Sequence, residues 1–255
     1  VCEGLLRQTA RNFEVVICDD GSGPQTQEVV RAFAQRFEAQ FGLKVHHVWQ
    51  EHQGFRKCKI LNQGMRVSTG KWMIFLDGDC VPHPHFVQDH LSLAEPGHYL
   101  AGRRVELGQK FSASLTPQSV ATGALDGPSF ALFWSDLTKD SEMTQRSLRI
   151  ANPWLRKKLG MLRIPDLKGC NYSVARADLE SINGFDEEYE GYGREDTDVE
   201  LRLQHLGLKI KSLKGLAVQS HVWHPRRTFT PANDNRLEEL KASRRIRCTK
   251  GLIAG

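Results

Sequence analysis

Trp72-Met73-Ile74-Phe75-Leu76-Asp77-Gly78-Asp79 is the stretch that decides the fold class, because five apolar residues run directly into two carboxylates separated by one glycine. A short apolar run that ends at turn residues predicts a buried strand, and ligands of open α/β sheets bind beyond the carboxyl ends of the strands. Since side chains alternate along a strand, Asp77 and Asp79 are expected to point to the same side. Two hard oxygen donors in that position suit Mg²⁺ or Mn²⁺. The alternative interpretation is an ordinary Asp-Gly turn.

The same succession of an apolar run, turn residues and an amphipathic segment occurs on the amino-terminal side of this stretch. Residues 15–18 form an apolar run that leads into Asp19-Asp20-Gly21-Ser22, and residues 45–49 form another. Helices are predicted over 25–41 and 57–67. Alternating strands and helices predict an α/β fold with a parallel sheet covered by helices on both faces. The apolar face of the first of these helices is assigned to Val29, Val30, Phe33 and Phe37.

The carboxyl-terminal half differs in composition and in hydrophobic periodicity. Residues 106–166 mix Gly, Pro, Ser and basic residues with only short helical stretches, and are interpreted as a variable insertion of surface loops. Regular patterns then return, and they predict a strand over 170–175, helices over 176–183 and 195–205, and a strand over 218–222. The whole chain is therefore expected to form one domain.

Composition narrows the classes of function. The chain has 255 residues, 40% hydrophobic content and a formal net charge of +5, which favours an anionic small ligand over nucleic acid. The six cysteines contain no C-x-x-C pair and are expected to be reduced thiols. No stretch approaches the roughly 18 to 20 consecutive apolar residues of a membrane-spanning helix. The location expected from these features is cytoplasmic.

A second acidic motif, Asp19-Asp20, also follows a buried apolar run. Its carboxylates are expected at the same sheet edge as Asp77 and Asp79, which makes a shared cleft plausible, and they could accept hydrogen bonds from a ribose or a base edge. The alternative is a helix start in which Ser22 serves as the N-cap, and both interpretations could hold together.

A third acidic motif, Glu195-Asp196, opens the helix predicted over 195–205. Two glycines, Gly191 and Gly193, precede it and are expected to let the backbone approach a ligand closely. A carboxylate in this position can take a proton from an attacking hydroxyl. The alternative is ordinary helix N-terminal acidity, which contributes only about 0.3–1 kcal/mol per charge.

His221 and His224 stand at the end of the strand predicted over 218–222. Histidine is a common metal ligand, so one of these rings is expected to complete the coordination begun by the aspartates. Histidines 83, 85 and 90 lie near the D-G-D stretch but beside prolines, and are interpreted as structural.

Taken together, these motifs resemble those of family 2 glycosyltransferases with the GT-A fold, a Rossmann-like mixed sheet flanked by helices. The carboxyl half is similar to β-1,4-galactosyltransferases and bacterial chondroitin polymerase. Seven motifs in the family's order carry the resemblance: residues 14–22, 53–62, 75–79, 168–173, 183–187, 193–196 and 221–224. The family's first strand is expected upstream of Val1.

For the donor side, the resemblance implies that Asp19 and Asp20 hold uridine and that Gly54, Arg56 and Asn62 line the nucleotide pocket. It makes Asp77-Gly78-Asp79 the D-x-D motif, with Mn²⁺ or Mg²⁺ held by Asp77, Asp79, His221 and His224. An Arg common in the family just before the Asn62 position is Leu61 here, so Arg56 or Lys59 is expected to contact the diphosphate.

For the catalytic side, the resemblance implies that Asp196 is the base and that Glu195 orients the acceptor hydroxyl. Asn171 and Tyr192 are expected to contact donor or acceptor sugar. Tyr192 stands where the family often has Trp, which keeps an aromatic ring for stacking but changes its size.

The function implied is inverting transfer of a hexose from a UDP-sugar to a saccharide or lipid-linked acceptor. Residues 1–105 would form the nucleotide-sugar-binding half, 106–166 the insertion, 167–225 the acceptor and catalytic half, and 226–255 a basic tail. Alternatives are a nucleotidyltransferase acting on sugar phosphates, or an inactive carbohydrate-binding homologue. The tail is interpreted as a helix packed on the domain, and the alternative is peripheral contact with an anionic inner membrane face.

Overall fold

The computed structural model describes residues 1–225 and 227–253. Within them the chain forms two compact units, each built from segments that are separate in sequence. The first unit comprises 1–11, 74–173 and 210–225, and the second comprises 12–73, 174–209 and 227–253.

The second unit contains the parallel pair that the sequence predicts. Its elements are β1 (Val15–Asp19), α2 (Pro24–Phe41), β2 (Val45–Trp49), α3 (Lys57–Val67), α9 (Arg176–Ser181), α10 (Glu195–His205) and α11 (Pro231–Ser243). Strands β1 and β2 pair in parallel, from Val15 opposite Val45 to Asp19 opposite Trp49. The predicted helices over 25–41, 57–67 and 195–205 are confirmed to within one residue at each end.

Helix α2 shows how local sequence sets these boundaries. Pro24 occupies the first turn, where its missing N–H costs nothing, and Gly42 ends the helix in the left-handed conformation with φ of 69°. Val30, Phe33 and Phe37 are buried as predicted, but Val29 is 60% exposed, so it was wrongly assigned to the apolar face. The expected cap by Ser22 is also wrong, because the N-cap is Gly23 and no side chain caps the helix.

The strands of the first unit form both antiparallel and parallel pairs, so its sheets are not purely parallel. Its elements, three of which cross the unit boundaries in sequence, are α1 (Cys2–Leu6), β3 (Trp72–Leu76), β4 (Cys80–Pro82), α4 (Phe86–Leu93), β5 (His98–Ala101), β6 (Val105–Glu106), α5 (Gln109–Ser114), α6 (Pro117–Ala121), α7 (Phe130–Leu137), a 3-10 turn (Thr144–Ser147), α8 (Pro153–Lys158), β7 (Asn171–Ala175), β8 (Lys209–Ser212) and β9 (Gln219–His221). Strand orders are β3-β7-β5-β8 and β4-β9-β6. Strand β5 is antiparallel to β7, β4 is antiparallel to β9, and β6 is parallel to β9.

Residues 106–166 are more ordered than a set of surface loops. They carry four short helices and a 3-10 turn, and four of their side chains join one core cluster. The core cluster in which they take part consists of Val81, Val105, Leu107, Val120, Leu125 and Leu132. Helix α7 coincides with a helical stretch that the sequence shows at 129–137, but the helices of five and six residues are too short for their periodicity to be recognised.

The carboxyl-terminal helix α11 packs on α10 through Leu237 and Leu240, which are both buried. This agrees with the interpretation of the tail as a packed helix. Positions 226, 254 and 255 of the predicted tail lie outside the described residues. Among the helices of the described part, none is both long and apolar enough to cross a bilayer.

Candidate active site

Three side chains in the first unit converge on one point. The Asp79 Oδ2 atom lies 3.2 Å from His224 Nε2 and 3.6 Å from His221 Nε2. The two histidine Nε2 atoms are 3.1 Å apart. All three atoms therefore lie within 4.8 Å of one another, which is the spacing of ligands around a single cation.

The sheet β4-β9-β6 positions this cluster. His221 is on the central strand β9, opposite Cys80 of β4 on one side and Glu106 of β6 on the other. The backbone N–H of Val222 donates to the carbonyl oxygen of Asp79 over 2.8 Å. Because main-chain hydrogen bonds fix both sides of His221, its ring is directed before any ligand arrives.

Glu106 is a fourth member of the cluster that the sequence did not reveal. Its Oε2 atom lies 2.8 Å from His221 Nδ1, and its Oε1 atom accepts from Arg104 Nε over 2.7 Å. A carboxylate on Nδ1 keeps the proton there and leaves Nε2 able to bind a metal. No sequence signal marked Glu106, because strand β6 has only two residues.

The electrostatics of the cluster follow from this crowding. Burial disfavours the charged ring, yet the contacts with Asp79 and Glu106 raise the pKa of His221 to about 9. Although burial opposes ionisation of the two carboxyls, their contacts with His221 lower the pKa of Asp79 to about 2 and that of Glu106 to about 2. Both carboxylates are therefore ionised at neutral pH and the His221 ring is protonated, so a cation that binds His221 Nε2 must displace the proton from it.

One carboxylate and two imidazoles fit Mg²⁺ poorly, because Mg²⁺ prefers oxygen ligands alone, and Mn²⁺ accepts imidazole nitrogen more readily than Mg²⁺ does. Asp77 does not belong to this group of three. Strand β3 ends at Leu76, and the backbone carbonyl of Asp77 accepts from the Cys80 N–H over 3.1 Å, so residues 77–80 form a turn. The strand alternation expected of Asp77 and Asp79 therefore stops before either residue.

In the second unit, Asp19 and Asp20 organise the loops after β1 and β2. Asp19 is buried, and its carboxylate accepts from the Ser22 N–H over 2.7 Å and lies 3.0 Å from His47 Nε2. Asp20 accepts from Gln50 Nε2 over 2.6 Å and from the Arg56 N–H over 2.7 Å. Asp20 thus ties the turn after β1 to the segment that carries Arg56.

Arg56 borders a pocket that lies within the second unit and carries three cations and two carboxylates. Gly54, two residues earlier, has a φ of 79°, which favours glycine at that position. The Arg56 guanidinium donates to Gln53 Oε1 over 3.0 Å and to the Glu51 carbonyl. The pocket is lined by Arg56, Lys59, Glu187, Tyr189, Glu190 and Lys250.

Two of the predicted ligand contacts lie inside the protein. Asn62 is fully buried, and its amide binds the backbone N–H and carbonyl of Phe185 at 2.9 and 2.8 Å. Asn171 is also fully buried, and its Nδ2 donates to the carbonyls of Arg103 and Ala217 over 2.9 Å each. Both asparagines therefore act here as links between segments of backbone.

The acidic residues at the start of α10 occupy three different environments. Glu195 accepts from the Gly193 N–H over 3.0 Å, and burial raises the pKa of its carboxyl. Asp196 is partly exposed and accepts from the Thr197 N–H over 2.8 Å. Asp198 is buried and pairs with Arg202, which is fully buried and also donates to two backbone carbonyls. Asp196 is the one most accessible to solvent of these three.

The glycines before α10 approach the protein's own chain. A side chain at Gly193 would come within 2.2 Å of Phe229, and one at Gly191 within 2.1 Å of Thr230. Tyr192 lies between these glycines, partly exposed, with its ring 5.2 Å from that of Phe229. At both glycines the backbone comes close to residues 229–230.

Comparison with solved structures identifies the class of fold. The chain is similar to S. aureus TarS 1-349 in complex with UDP, with a TM-score of 0.59 and 16% identity over 96% of this chain and 60% of that one. It is similar to GalNAc-T7 with UDP, GalNAc and Mn2+, with a TM-score of 0.62 and 14% identity over 93% of this chain and 44% of that one. The fold is GT-A, as the sequence predicted.

The family follows from the sequence models. The model described as "Glycosyl transferase family 2" matches residues 1–155, more than half of the chain, and "N-terminal domain of galactosyltransferase" matches residues 155–225. The chain belongs to glycosyltransferase family 2, which confirms the resemblance.

Two curated relatives are longer than this chain. It is 29% identical to validoxylamine A glucosyltransferase of Streptomyces hygroscopicus subsp. jinggangensis (strain 5008), covering 81% of this chain and 48% of the relative. It is 25% identical to chondroitin synthase of Escherichia coli, covering 82% of this chain and 30% of the relative. The chain therefore spans half or less of the length of these relatives.

Proposed function

We propose that this chain catalyses inverting transfer of a hexose from a UDP-sugar to a saccharide hydroxyl, with a divalent cation bound by Asp79, His221 and His224. The convergence of those three side chains, with Glu106 behind His221, is the observation that carries the proposal. An acidic cluster without a catalytic use would not need two imidazole nitrogens 3.1 Å apart.

A divalent cation at this cluster would neutralise charge on a departing diphosphate. The protein's own side chains would hold the cation in place. Glu106 fixes the His221 ring, and the hydrogen bond from the Val222 N–H to the Asp79 carbonyl fixes the backbone of Asp79. Preorganised charge of this kind contributes most where it needs no rearrangement during the reaction.

Asp196 is proposed as the base that takes the proton from the attacking hydroxyl. Of the acidic residues that begin α10, Asp198 is held by Arg202 and Glu195 is buried, which leaves Asp196 accessible. A positioned carboxylate at this place can accept the proton of the attacking hydroxyl. Glu195, which accepts from the Gly193 N–H, would steady the loop that holds Tyr192.

UDP is proposed as the carrier and Mn²⁺ as the cation. TarS structures contain UDP or UDP-GlcNAc, and the GalNAc-T7 structure contains UDP with Mn²⁺. Asp19, Asp20, Gly54 and Arg56 would bind the nucleotide, with Arg56 or Lys59 at the diphosphate. The relatives' names, a glucosyltransferase and a chondroitin synthase, favour a saccharide acceptor. We also propose that residues 1–105 bind the nucleotide-sugar, that 106–166 are an insertion, that 167–225 bind the acceptor and carry the base, and that 226–255 form a basic tail.

The proposal is tested by measuring Mn²⁺-dependent release of UDP from a panel of UDP-sugars, with and without saccharide acceptors. We expect one sugar to be turned over, with the product anomer inverted by NMR. His224→Ala should raise the Mn²⁺ concentration needed for half-maximal rate, whereas the control His85→Ala should not, because His85 bonds to Thr9 outside the cluster.

Absence of Mn²⁺-dependent UDP binding by calorimetry would contradict the proposal. Release of pyrophosphate from a nucleoside triphosphate with a sugar phosphate would instead favour a nucleotidyltransferase.

A further inference from the structure

Residues 143–165 have an unusual charge pattern. This stretch contains six arginines and lysines and no aspartate or glutamate. The cations are Arg146, Arg149, Arg156, Lys157, Lys158 and Arg163. Since acidic residues make up 30 of the 255 positions, a run of this length without any of them calls for an explanation.

The structure divides these cations into two groups. Arg146 donates to the carbonyl of Arg104 over 3.1 Å, and Arg149 pairs with Asp89 through contacts of 2.6 and 2.9 Å. Arg156 is buried and donates to the carbonyls of Ser212 and Lys214. These side chains hold the segment to the first unit. The second group, Lys157, Lys158 and Arg163, is exposed.

Large apolar side chains lie exposed among these outer cations. Trp154 is 67% exposed, Leu159 is 53% exposed and Leu162 is 49% exposed. The Lys158 ammonium lies 5.2 Å from the centre of the Trp154 ring. We call residues 153–163 the basic apolar segment. Exposed Trp and Leu beside Lys and Arg are the composition of protein surfaces that lie in the lipid headgroup region.

The basic apolar segment is fixed to the protein beneath it. Asn152 caps α8 by accepting from the Leu155 N–H over 3.1 Å, and the Met161 carbonyl accepts from Ser212 Oγ over 2.6 Å. The Arg156 guanidinium anchors the middle of the segment from below. The apolar side chains are thus displayed by an ordered backbone and do not belong to a frayed loop.

Two other surfaces of the described chain were candidates for the same role, and each lacks one requirement. Helix α7 exposes Phe130, Phe133, Trp134 and Leu137, but Asp126, Asp136 and Asp140 lie beside it in sequence and would be repelled by anionic lipid. The end of α11 and the residues after it are basic through Lys241, Arg244, Arg245 and Arg247, but Leu237 and Leu240 of the helix are buried against the protein. Basic charge and exposed apolar groups coincide in the basic apolar segment.

We propose that the basic apolar segment docks the protein on an anionic membrane surface. Trp154, Leu159 and Leu162 enter the headgroup region, while Lys157, Lys158 and Arg163 face lipid phosphates. Apolar insertion and electrostatic attraction are both needed, because either one alone gives only weak, reversible binding. This inference does not depend on the proposed transferase activity.

Flotation of the full chain with vesicles tests the proposal. We expect binding to phosphatidylcholine vesicles that contain phosphatidylglycerol, little binding to phosphatidylcholine alone, and weaker binding as salt is raised. Since a Lys near an anionic surface contributes about fivefold to partitioning, Lys157→Gln with Lys158→Gln should weaken binding about 25-fold. Trp154→Ser with Leu159→Ser should weaken binding by roughly tenfold or more.

Matched controls separate this surface from the others. Lys241→Gln with Arg244→Gln removes two charges from the α11 region, and Phe130→Ser with Trp134→Ser removes two rings from α7, and neither pair should change vesicle binding. Turnover of a water-soluble acceptor should be the same in all four variants, so failure of docking and failure of the transferase proposal are distinguishable.

Three results would overturn the proposal. The first is that the protein does not bind anionic vesicles, and the second is that the control pairs lose as much binding as the test pairs. The third is that the protein does not bind vesicles but forms a dimer in solution, and that Trp154→Ser with Leu159→Ser disrupts this dimer. Far-ultraviolet circular dichroism and the urea midpoint verify that each exposed substitution leaves the fold intact.

Discussion

The two acidic motifs that look most alike in sequence, Asp77-Gly78-Asp79 and Glu195-Asp196-Thr197-Asp198, differ in what surrounds their carboxylates. Asp79 meets two histidines that lie about 140 residues later, and those partners define a cation site. Asp198 meets Arg202 one helical turn away and is sealed in the interior. The spacing of acids does not distinguish a ligand site from a structural ion pair; burial and partners do.

The largest effect expected from this comparison concerns Asp196. Asp196→Asn removes the proposed base, and loss of general base catalysis reduces rates by about 10²–10⁴-fold. Mn²⁺ affinity should stay unchanged, because Asp196 is not in the cation cluster. Steady-state kinetics with the preferred UDP-sugar, alongside Mn²⁺ titration, measures both. A variant with the full rate would show that another group accepts the proton.

Asp198 should behave in the opposite way, by supporting the fold. Asp198→Ala leaves the fully buried Arg202 without its carboxylate, and breaking a buried pair from one side costs about 3–5 kcal/mol in the free energy of unfolding. Urea unfolding measures the loss, with Asp196→Asn as the matched control. If both variants unfolded at the same urea concentration, the structural role of the pair would be wrong.

Glu106 tests whether the partners of the cation site determine its metal affinity. Glu106→Gln keeps the size of the side chain but removes the carboxylate that fixes the His221 ring, and such outer partners typically contribute about 10- to 100-fold to metal affinity. Calorimetric titration with Mn²⁺ in the absence of nucleotide measures this affinity. Glu142→Gln is the control, since Glu142 meets Glu106 through backbone bonds alone. Equal affinities in the two variants would leave Glu106 without a role in the site.

The smallest effect on stability is expected from the exposed ion pair next to the Glu195-Asp196-Thr197-Asp198 motif. Arg194 pairs with Asp234 at 2.5 Å, with both side chains nearly half exposed. Exposed pairs contribute about 0–1 kcal/mol, so Asp234→Asn should scarcely change the urea midpoint. A loss as large as that of Asp198→Ala would mean that this pair, and not the buried one, holds the start of α10.

The sequence predicted most of the long elements because apolar runs and helical periodicity are local properties. Strand β3 and helices α2, α3 and α10 fall where those patterns place them. Strands β4 and β6 have three and two residues, which is too short for any alternation to be visible. They exist because β9 pairs with both, and that pairing is a long-range property.

The same reasoning explains the outcome at the candidate site. Asp79, His221 and His224 could be chosen from the sequence because their residue types bind metals and stand at strand ends. Glu106 could not, because a lone glutamate before a stretch of Gly and Ser carries no signal until its neighbour in space is known. The Ser22 cap was wrong because Ser22 lies one residue too early: the helix begins at Pro24, so Gly23 takes the cap position and the Ser22 N–H bonds to Asp19.

The contact of Gly193 with residues 229–233 has a practical consequence for how this protein is cut or recombined. The family matches end at residue 225, yet Asn233 donates to the Gly193 carbonyl over 2.9 Å and the Thr230 N–H donates to the Tyr192 carbonyl over 2.9 Å. A fragment trimmed to the conserved boundaries would lose both bonds from the loop that precedes Asp196. A chimaera that exchanges the end of the chain with a relative should therefore exchange residues 191–193 together with it.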